Sequence, residues 1–242
     1  MNTFAWHNFC TAKERFRELC ASISQTLPML KNEQQNLVNK RDAQSYIIDT
    51  PVVYNTAIDS ITKEDTICLI LVADNPGRKE QSAMEQRYLV GPSGKIAANF
   101  FEKELGIDFR KNVVILNKTP IHTPRTAELR ILGGANSQIH AAIVSSQKQM
   151  AALLVEFYNA LKVPIWIIGY SEMKKKGIFE AYTNELKNYA IKNSIDKNDV
   201  YIYRHFSMNQ FTIDLNHQKL QNESIKNTLA RIGTVYRNRI LK

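Results

Sequence analysis

Four short apolar runs, each stopped by polar or turn-forming residues, punctuate the chain and predict the strands of a sheet. Residues 67–72 (ICLILV) are apolar on both faces and partly β-branched, which suits a parallel strand covered by helices on each side. Residues 113–116, 163–168 and 200–203 repeat that pattern. Between the runs, apolar residues recur at helical spacing. Phe9, Phe16, Leu19, Ile23 and Leu27 form one stripe that stops at Pro28, and Ile96, Phe100, Phe101 and Leu105 form another, with Ser93 able to cap it. Ile139, Ile143, Met150, Leu154, Phe157 and Leu161 predict a long helix, residues 182–192 a polar one, and Ile225, Leu229, Ile232, Tyr236 and Ile240 a closing one. Residues 31–45 are strongly polar and fit helix or loop, while residues 51–65 read as an extended approach to the first strand. The alternation predicts an α/β fold: a three-layer α/β/α arrangement around a mostly parallel sheet of about four strands.

A length of 242 residues is enough to bury one good α/β core, and no low-complexity linker divides it. We therefore expect a single domain over residues 1–242 with an N-terminal helical extension over about residues 1–50. A formal net charge of +9 favours an anionic partner such as nucleic acid, general solubility being the plainer reading. Cys10, Cys20 and Cys68 lack the clustering of a structural metal or iron–sulfur site, and Cys68, inside the first strand, reads as a small buried thiol. No run of about 18 apolar residues occurs, so a soluble, reducing, cytoplasmic setting is expected, at the nucleoid if the source is bacterial.

In an open α/β sheet, loops leaving the carboxyl ends of the strands meet at the ligand crevice. The first strand runs into Asp74, Asn75, Pro76 and Gly77, and a second turn follows at Gly91, Pro92, Ser93 and Gly94. The second strand ends at Asn117, before a loop (118–130) with two prolines and the basic residues Lys118, Arg125 and Arg130, suited to backbone phosphates. His122 in that loop reads as a surface residue. The fourth strand runs into Arg204, His205, Phe206, Ser207, Met208 and Phe211, which makes His205 a better functional candidate than His7, His122, His140 or His217. Lys174, Lys175 and Lys176 suit either phosphate contact or a solvated face.

The order strand, ADNPG (73–77), polar insertion, RYLVGPSGK (87–95), helix, GI (106–107), VVILN (113–117) resembles the uracil-DNA glycosylase superfamily over about residues 67–211. ADNPG is similar to the first catalytic motif, its last three positions to the Asn-Pro-Gly form of the single-strand-selective branch. VGPSGK resembles the region after the uracil-stacking residue, and HFS (205–207) a degenerate second motif, usually His-Pro-Ser. The resemblance implies a monofunctional, metal-independent DNA glycosylase without cofactor, acting on single- or double-stranded DNA as a monomer. It gives Asn117 the base-reading position, where an amide can match the N3–H donor and O4 acceptor of uracil. Departing uracil gathers negative charge as the sugar becomes cationic, so His205 implies a neutral donor to O2. Asn75 and Asp74 stand together as candidates for orienting or polarising water.

The chain also departs from the family. Leu89 stands where the stacking aromatic belongs, with Tyr88 just before it, and Phe206 replaces the usual proline. Pro76, Gly77, Gly91, Ser93 and Ser207 complete the expected substrate site; Lys118, Arg125 and Met208 the DNA contacts, with Met208 or Phe211 as a wedge. GPSGK fails as a phosphate loop because Ile96 follows Lys95 where Ser or Thr is needed, and no Gly-x-Gly-x-x-Gly follows a strand. The rivals are a nucleic-acid-binding module of the same fold without catalysis and, more remotely, a small-molecule enzyme using the same crevice.

Overall fold

The computed structural model describes residues 1–41, 45–192 and 194–242. The chain opens with α1 (Thr3–Thr26), capped by the Asn2 side chain, which accepts a hydrogen bond from the Ala5 amide. Its buried stripe, Phe9 to Ile23, lies on the long helix described below, with the Phe9 ring edge-on to Phe157 at 5.4 Å. Helix α2 (Leu30–Arg41) settles most of the polar stretch 31–45 as helix, while residues 42–44 lie outside the described residues. The chain then pairs through Val52 with Ile121 in an antiparallel bridge and makes a 3₁₀ turn at Thr56–Ser60 before entering the sheet.

The strands are β1 (Leu69–Ala73), β2 (Val113–Asn117), β3 (Ile165–Ile168) and β4 (Val200–Tyr203). All pairings among them are parallel, in the order β2-β1-β3-β4. The first strand starts two residues later than the apolar run predicts, and Cys68 therefore sits just before it, half-buried rather than in the core. Helix α3 (Pro92–Phe100) has Gly91, not Ser93, at its N-cap. Gly91 has no side chain to cap the helix, and Pro92 at the first helical position removes one N–H that would need a partner. A π turn (Phe101–Leu105) follows and ends at Gly106, whose φ of +67° is open to glycine at little cost.

Helices α4 (Glu128–Ala135), α5 (Ser137–Leu161) and α6 (Glu180–Ile191) pack on one another, with α1 against α5. Helices α7 (Gln210–Gln218) and α8 (Ile225–Ile240) follow β4, and α8 crosses it so closely that a Cβ on Gly233 would stand 2.7 Å from the Tyr203 hydroxyl. On this side Trp166 meets Phe101, Tyr203 and Phe211 in one aromatic cluster. The expected three-layer α/β/α architecture is observed, with every residue of β1 and β2 buried. Arg237 of α8 is buried and donates to the Lys197 carbonyl at 2.8 Å.

Candidate active site at the carboxyl edge of the sheet

From β1 the chain moves outward to β2, then returns across β1 to place β3 on its other side. Strand order therefore reverses at β1, the position where open parallel sheets leave a crevice beyond their carboxyl ends. A cavity of about 790 Å³ occupies that position. Asn75 from the loop after β1, Asn117 from the end of β2 and His205 from the loop after β4 all line it. Asp74, Gly77, Leu89, Gly91, Ser93, Arg125, Ser207 and Met208 line it too, so most residues singled out from the sequence converge here.

His205 and Asn75 are held by identifiable partners, whereas, among the described residues, the Asn117 amide nitrogen is not. Ser207 donates its backbone N–H to His205 Nδ1 at 3.0 Å, with its hydroxyl 2.8 Å from the same atom. A ring nitrogen that accepts an amide hydrogen carries none of its own, so the neutral ring bears its proton on Nε2. Burial lowers the His205 pKa below the ordinary imidazole value, Asp74 opposing and Lys118 reinforcing the shift, which favours that neutral form. Asn75 donates from Nδ2 to Thr123 Oγ1 at 2.9 Å, leaving Oδ1 as its acceptor. Asn117 is 1% exposed, and its buried Nδ2 has no partner among the described residues. An orphaned amide donor costs on the order of 1–3 kcal/mol unless a ligand or water satisfies it.

Behind the cavity, Lys118 overturns its sequence reading. Its ammonium is wholly buried and donates to Asp74 Oδ1 at 2.6 Å, the Ile168 carbonyl at 2.6 Å and the Ala73 carbonyl at 3.3 Å. Three acceptors match the three hydrogens of a charged ammonium, which bridges the splayed ends of β1 and β3; burial lowers its pKa and the Asp74 carboxylate opposes that. Lys118 is thus not a phosphate contact. Among the described residues Asp74 Oδ2 has only a long contact with Thr126 Oγ1, at 3.4 Å. Gly169 lies beside this pair with φ +94°, and a Cβ there would stand 2.2 Å from Asp74 Oδ1, so glycine is required on both counts.

A second buried carboxylate, absent from the sequence reading, ties the cavity loops together. Glu80 accepts from Gly77 N at 3.0 Å and Leu89 N at 2.8 Å, and burial pushes its pKa up to about 7 against those bonds. Arg110 donates to the carbonyls of Tyr88 and Leu89 from the other side. Leu89 is held in a left-handed conformation, φ +54°, with its carbonyl pressed on Gly94, where a Cβ would approach to 1.5 Å. That contact explains the glycine of GPSG.

Several expectations fail. Tyr88 is fully buried and donates its hydroxyl to the Val53 carbonyl at 2.6 Å, so it belongs to the core and not to the cavity wall. Pro76 does not line the cavity; its carbonyl faces His122 and Thr123. His122 is fully buried, not at the surface. Phe211 is buried against Phe206 and Phe100, which leaves Met208, 83% exposed at the cavity rim, as the only one of the two able to act as a wedge. Met208 and Asn209 both have left-handed backbones, φ +52° and +55°, and form the tip that presents this side chain. Lys174, Lys175 and Lys176 are exposed and do not line the cavity.

Among the described residues no helix is long and apolar enough to cross a membrane, and no group of three or more His, Cys, Asp or Glu is placed to hold a metal ion. Compared with known proteins, the chain matches no family model and no curated protein.

Proposed function

We propose that this protein is a monofunctional DNA glycosylase of the uracil-DNA glycosylase type, hydrolysing the N-glycosidic bond of uracil or a related damaged base without a metal. One observation carries the reading: an amide from the loop after β1, an amide from the end of β2 and an imidazole from the loop after β4 line one cavity. In this reading the base enters after flipping out of the strand, at a cost of a few kcal/mol. The unpartnered Asn117 amide gives its hydrogen to uracil O4 and, through its own oxygen, accepts from N3–H, a pairing cytosine cannot complete. His205 donates from Nε2 to the negative charge growing on O2.

The geometry also supports a division between the two candidates after β1. Asn75 has Nδ2 engaged by Thr123, so Oδ1 accepts a hydrogen from water and orients it. Asp74, anchored through Oδ1 by Lys118, supplies negative charge toward the cationic sugar. Arg78, Lys79 and Arg125 at the cavity would meet the phosphates of single- or double-stranded DNA.

The test is release of base from labelled oligonucleotides, single- and double-stranded, across a panel of damaged bases. Release of uracil, abolished or greatly reduced in His205→Ala, is the expected outcome. One observation favours a second reading, a binding module without catalysis: Leu89 offers no π face where a base would stack. Binding indifferent to uracil, with no base released from any substrate, would establish that alternative.

A further inference from the structure

His122 is a fully buried titratable group near the cavity that the reading above does not use. It sits one residue before Thr123, which holds Asn75, and both of its ring nitrogens are engaged. Nδ1 lies 2.8 Å from the Pro76 carbonyl and Nε2 lies 2.9 Å from the Tyr46 hydroxyl. A carbonyl can only accept, so the ring proton is on Nδ1, and Nε2 accepts from Tyr46. Burial holds the ring far below the ordinary imidazole value, at about 4, so this neutral tautomer is the form present at neutral pH.

The contacts converge on one turn. The Pro76 carbonyl also accepts from Thr123 N at 3.3 Å, and Thr123 Oγ1 accepts from Asn75 Nδ2 at 2.9 Å. Behind His122, Gln34 of α2 donates to the His122 carbonyl at 2.8 Å, and Gln35 donates to the Tyr46 carbonyl at 2.9 Å. In front, the guanidinium of Arg78, a cavity residue, lies 4.7 Å from the Tyr46 ring centroid. The N-terminal extension therefore reaches the Asn75–Pro76 turn through a side chain, not only through backbone packing.

We propose that His122, supported by Tyr46, is a positioning residue that fixes the Asn75–Pro76 turn so that Asn75 Oδ1 faces the cavity. The role rests on the glycosylase reading given above. It makes Gln34 and Gln35 of α2, together with Tyr46, part of the working site, although none of them touches the reacting atoms.

Three variants separate this role from simple filling of space. His122→Asn can place an amide nitrogen where Nδ1 stands, keeping the donor to Pro76 and losing the acceptor for Tyr46. His122→Gln reaches the Nε2 position, keeps that acceptor and leaves the Pro76 carbonyl without its donor, while filling more of the space than Asn. Tyr46→Phe removes only the hydroxyl. The measurement is single-turnover release of uracil, alongside the dissociation constant for DNA carrying 2′-fluoro-2′-deoxyuridine, whose fluorine slows cleavage. We expect His122→Gln to lower the rate on the order of tenfold or more, His122→Asn to lose clearly less, and Tyr46→Phe to lose only a few-fold, with the dissociation constants all within about twofold of the wild type.

Equal losses for Asn and Gln, a smaller loss for Gln, or binding that falls in step with rate would overturn the role. Nitrogen-15 spectra of the His122 ring judge the geometry apart from activity. A proton on Nδ1, with Asn75 and Thr123 amide signals displaced in His122→Gln and less so in His122→Asn, is expected. A proton on Nε2 overturns the proposal. Should the wild type release no base at all, the glycosylase reading fails, and the spectra alone decide whether His122 sets the turn.

Discussion

The strands of the sheet are two different materials along their length. Within it, Ile70, Leu71, Val72, Val114, Ile167 and Ile202 are buried, apolar and self-sufficient. One or two residues further on, at the carboxyl edge, the same chains carry a largely buried ion pair, an amide donor without a partner among the described residues and a histidine with a fixed tautomer. Burial is nearly complete in both places, but only the interior gains from it. Isolated from a ligand, the edge is a net burden on stability, and such burdens concentrate where a protein acts on something.

The largest test of that contrast removes one partner of the ion pair. Lys118→Met should cost about 3–5 kcal/mol in urea unfolding, because Asp74 is left buried without a counter-charge. Adding Asp74→Asn should restore more than half of that loss. Leu71→Ala, in the interior, should cost about 2–5 kcal/mol, and no second polar change should repair it. Failure of the double variant to recover would mean that the edge is built like the interior.

Next in size is an effect on rate. His205→Ala should lower uracil release by about 10²–10³-fold, as loss of one donor to a developing anion does, while shifting the urea midpoint little. A large shift in midpoint with modest loss of rate would move His205 from the functional edge to the structural interior.

Stability against pH sharpens the comparison further, since buried groups at the edge titrate with opposite signs. Glu80, raised from 4.5 to about 7, contributes stability that is fully present below pH 4.5 and lost as pH rises through 7. His122, lowered from 6.5 to about 4, contributes stability fully present above pH 6.5 and lost as pH falls through 4. Each limb is worth about 3 kcal/mol, and between pH 4.5 and 6.5 they oppose each other. Burial lowers the His205 pKa as well, which adds to the His122 limb, so stability should rise with pH through that window, and Glu80→Gln, without the opposing limb, should rise more steeply than the wild type. Parallel curves for the two proteins would remove Glu80 from this account.

The smallest effect belongs to the rim. Met208→Ala should leave stability within about 0.5 kcal/mol, since the side chain is exposed, yet weaken binding to duplex DNA by about 1 kcal/mol. Unchanged binding would leave the exposed tip without a task.

The same contrast explains what the sequence shows and what it conceals. The interior is legible because an apolar run hidden on both faces has a signature of its own: residues 200–203 are the fourth strand as predicted, and residues 113–116 extend only to Asn117. The ends of α5 and α8 are read from their stripes for the same reason. Helices α4 and α7 are not announced, because α4 follows a Pro-containing loop and α7 follows directly on the His205 segment, with short and mixed faces. At the edge, side chains named from turn position and motif order do converge, but the charges behind them stay hidden. Lys118 and His122 look like solvent residues in a polar loop, and Glu80 like part of a polar insertion. Their burial is created by Ile168, Tyr46, Leu89 and others distant in sequence, so no local pattern reports it. Tyr88 is misplaced for the reverse reason: adjacency to Leu89 says nothing of which side of a left-handed residue it falls on.

That the cavity borrows its walls from segments as far apart as Asp74 and Met208 bears on how the protein comes to life. Its last wall arrives with β4, which is itself clasped by α8 through the Tyr203 hydroxyl and the Leu229 carbonyl at 3.0 Å. Closing so long a loop is entropically slow, and His205, Ser207 and Met208 join the lining only once it is closed. During refolding, helical signal should return well before the cavity is complete, because its last wall waits on the docking of β4 and α8.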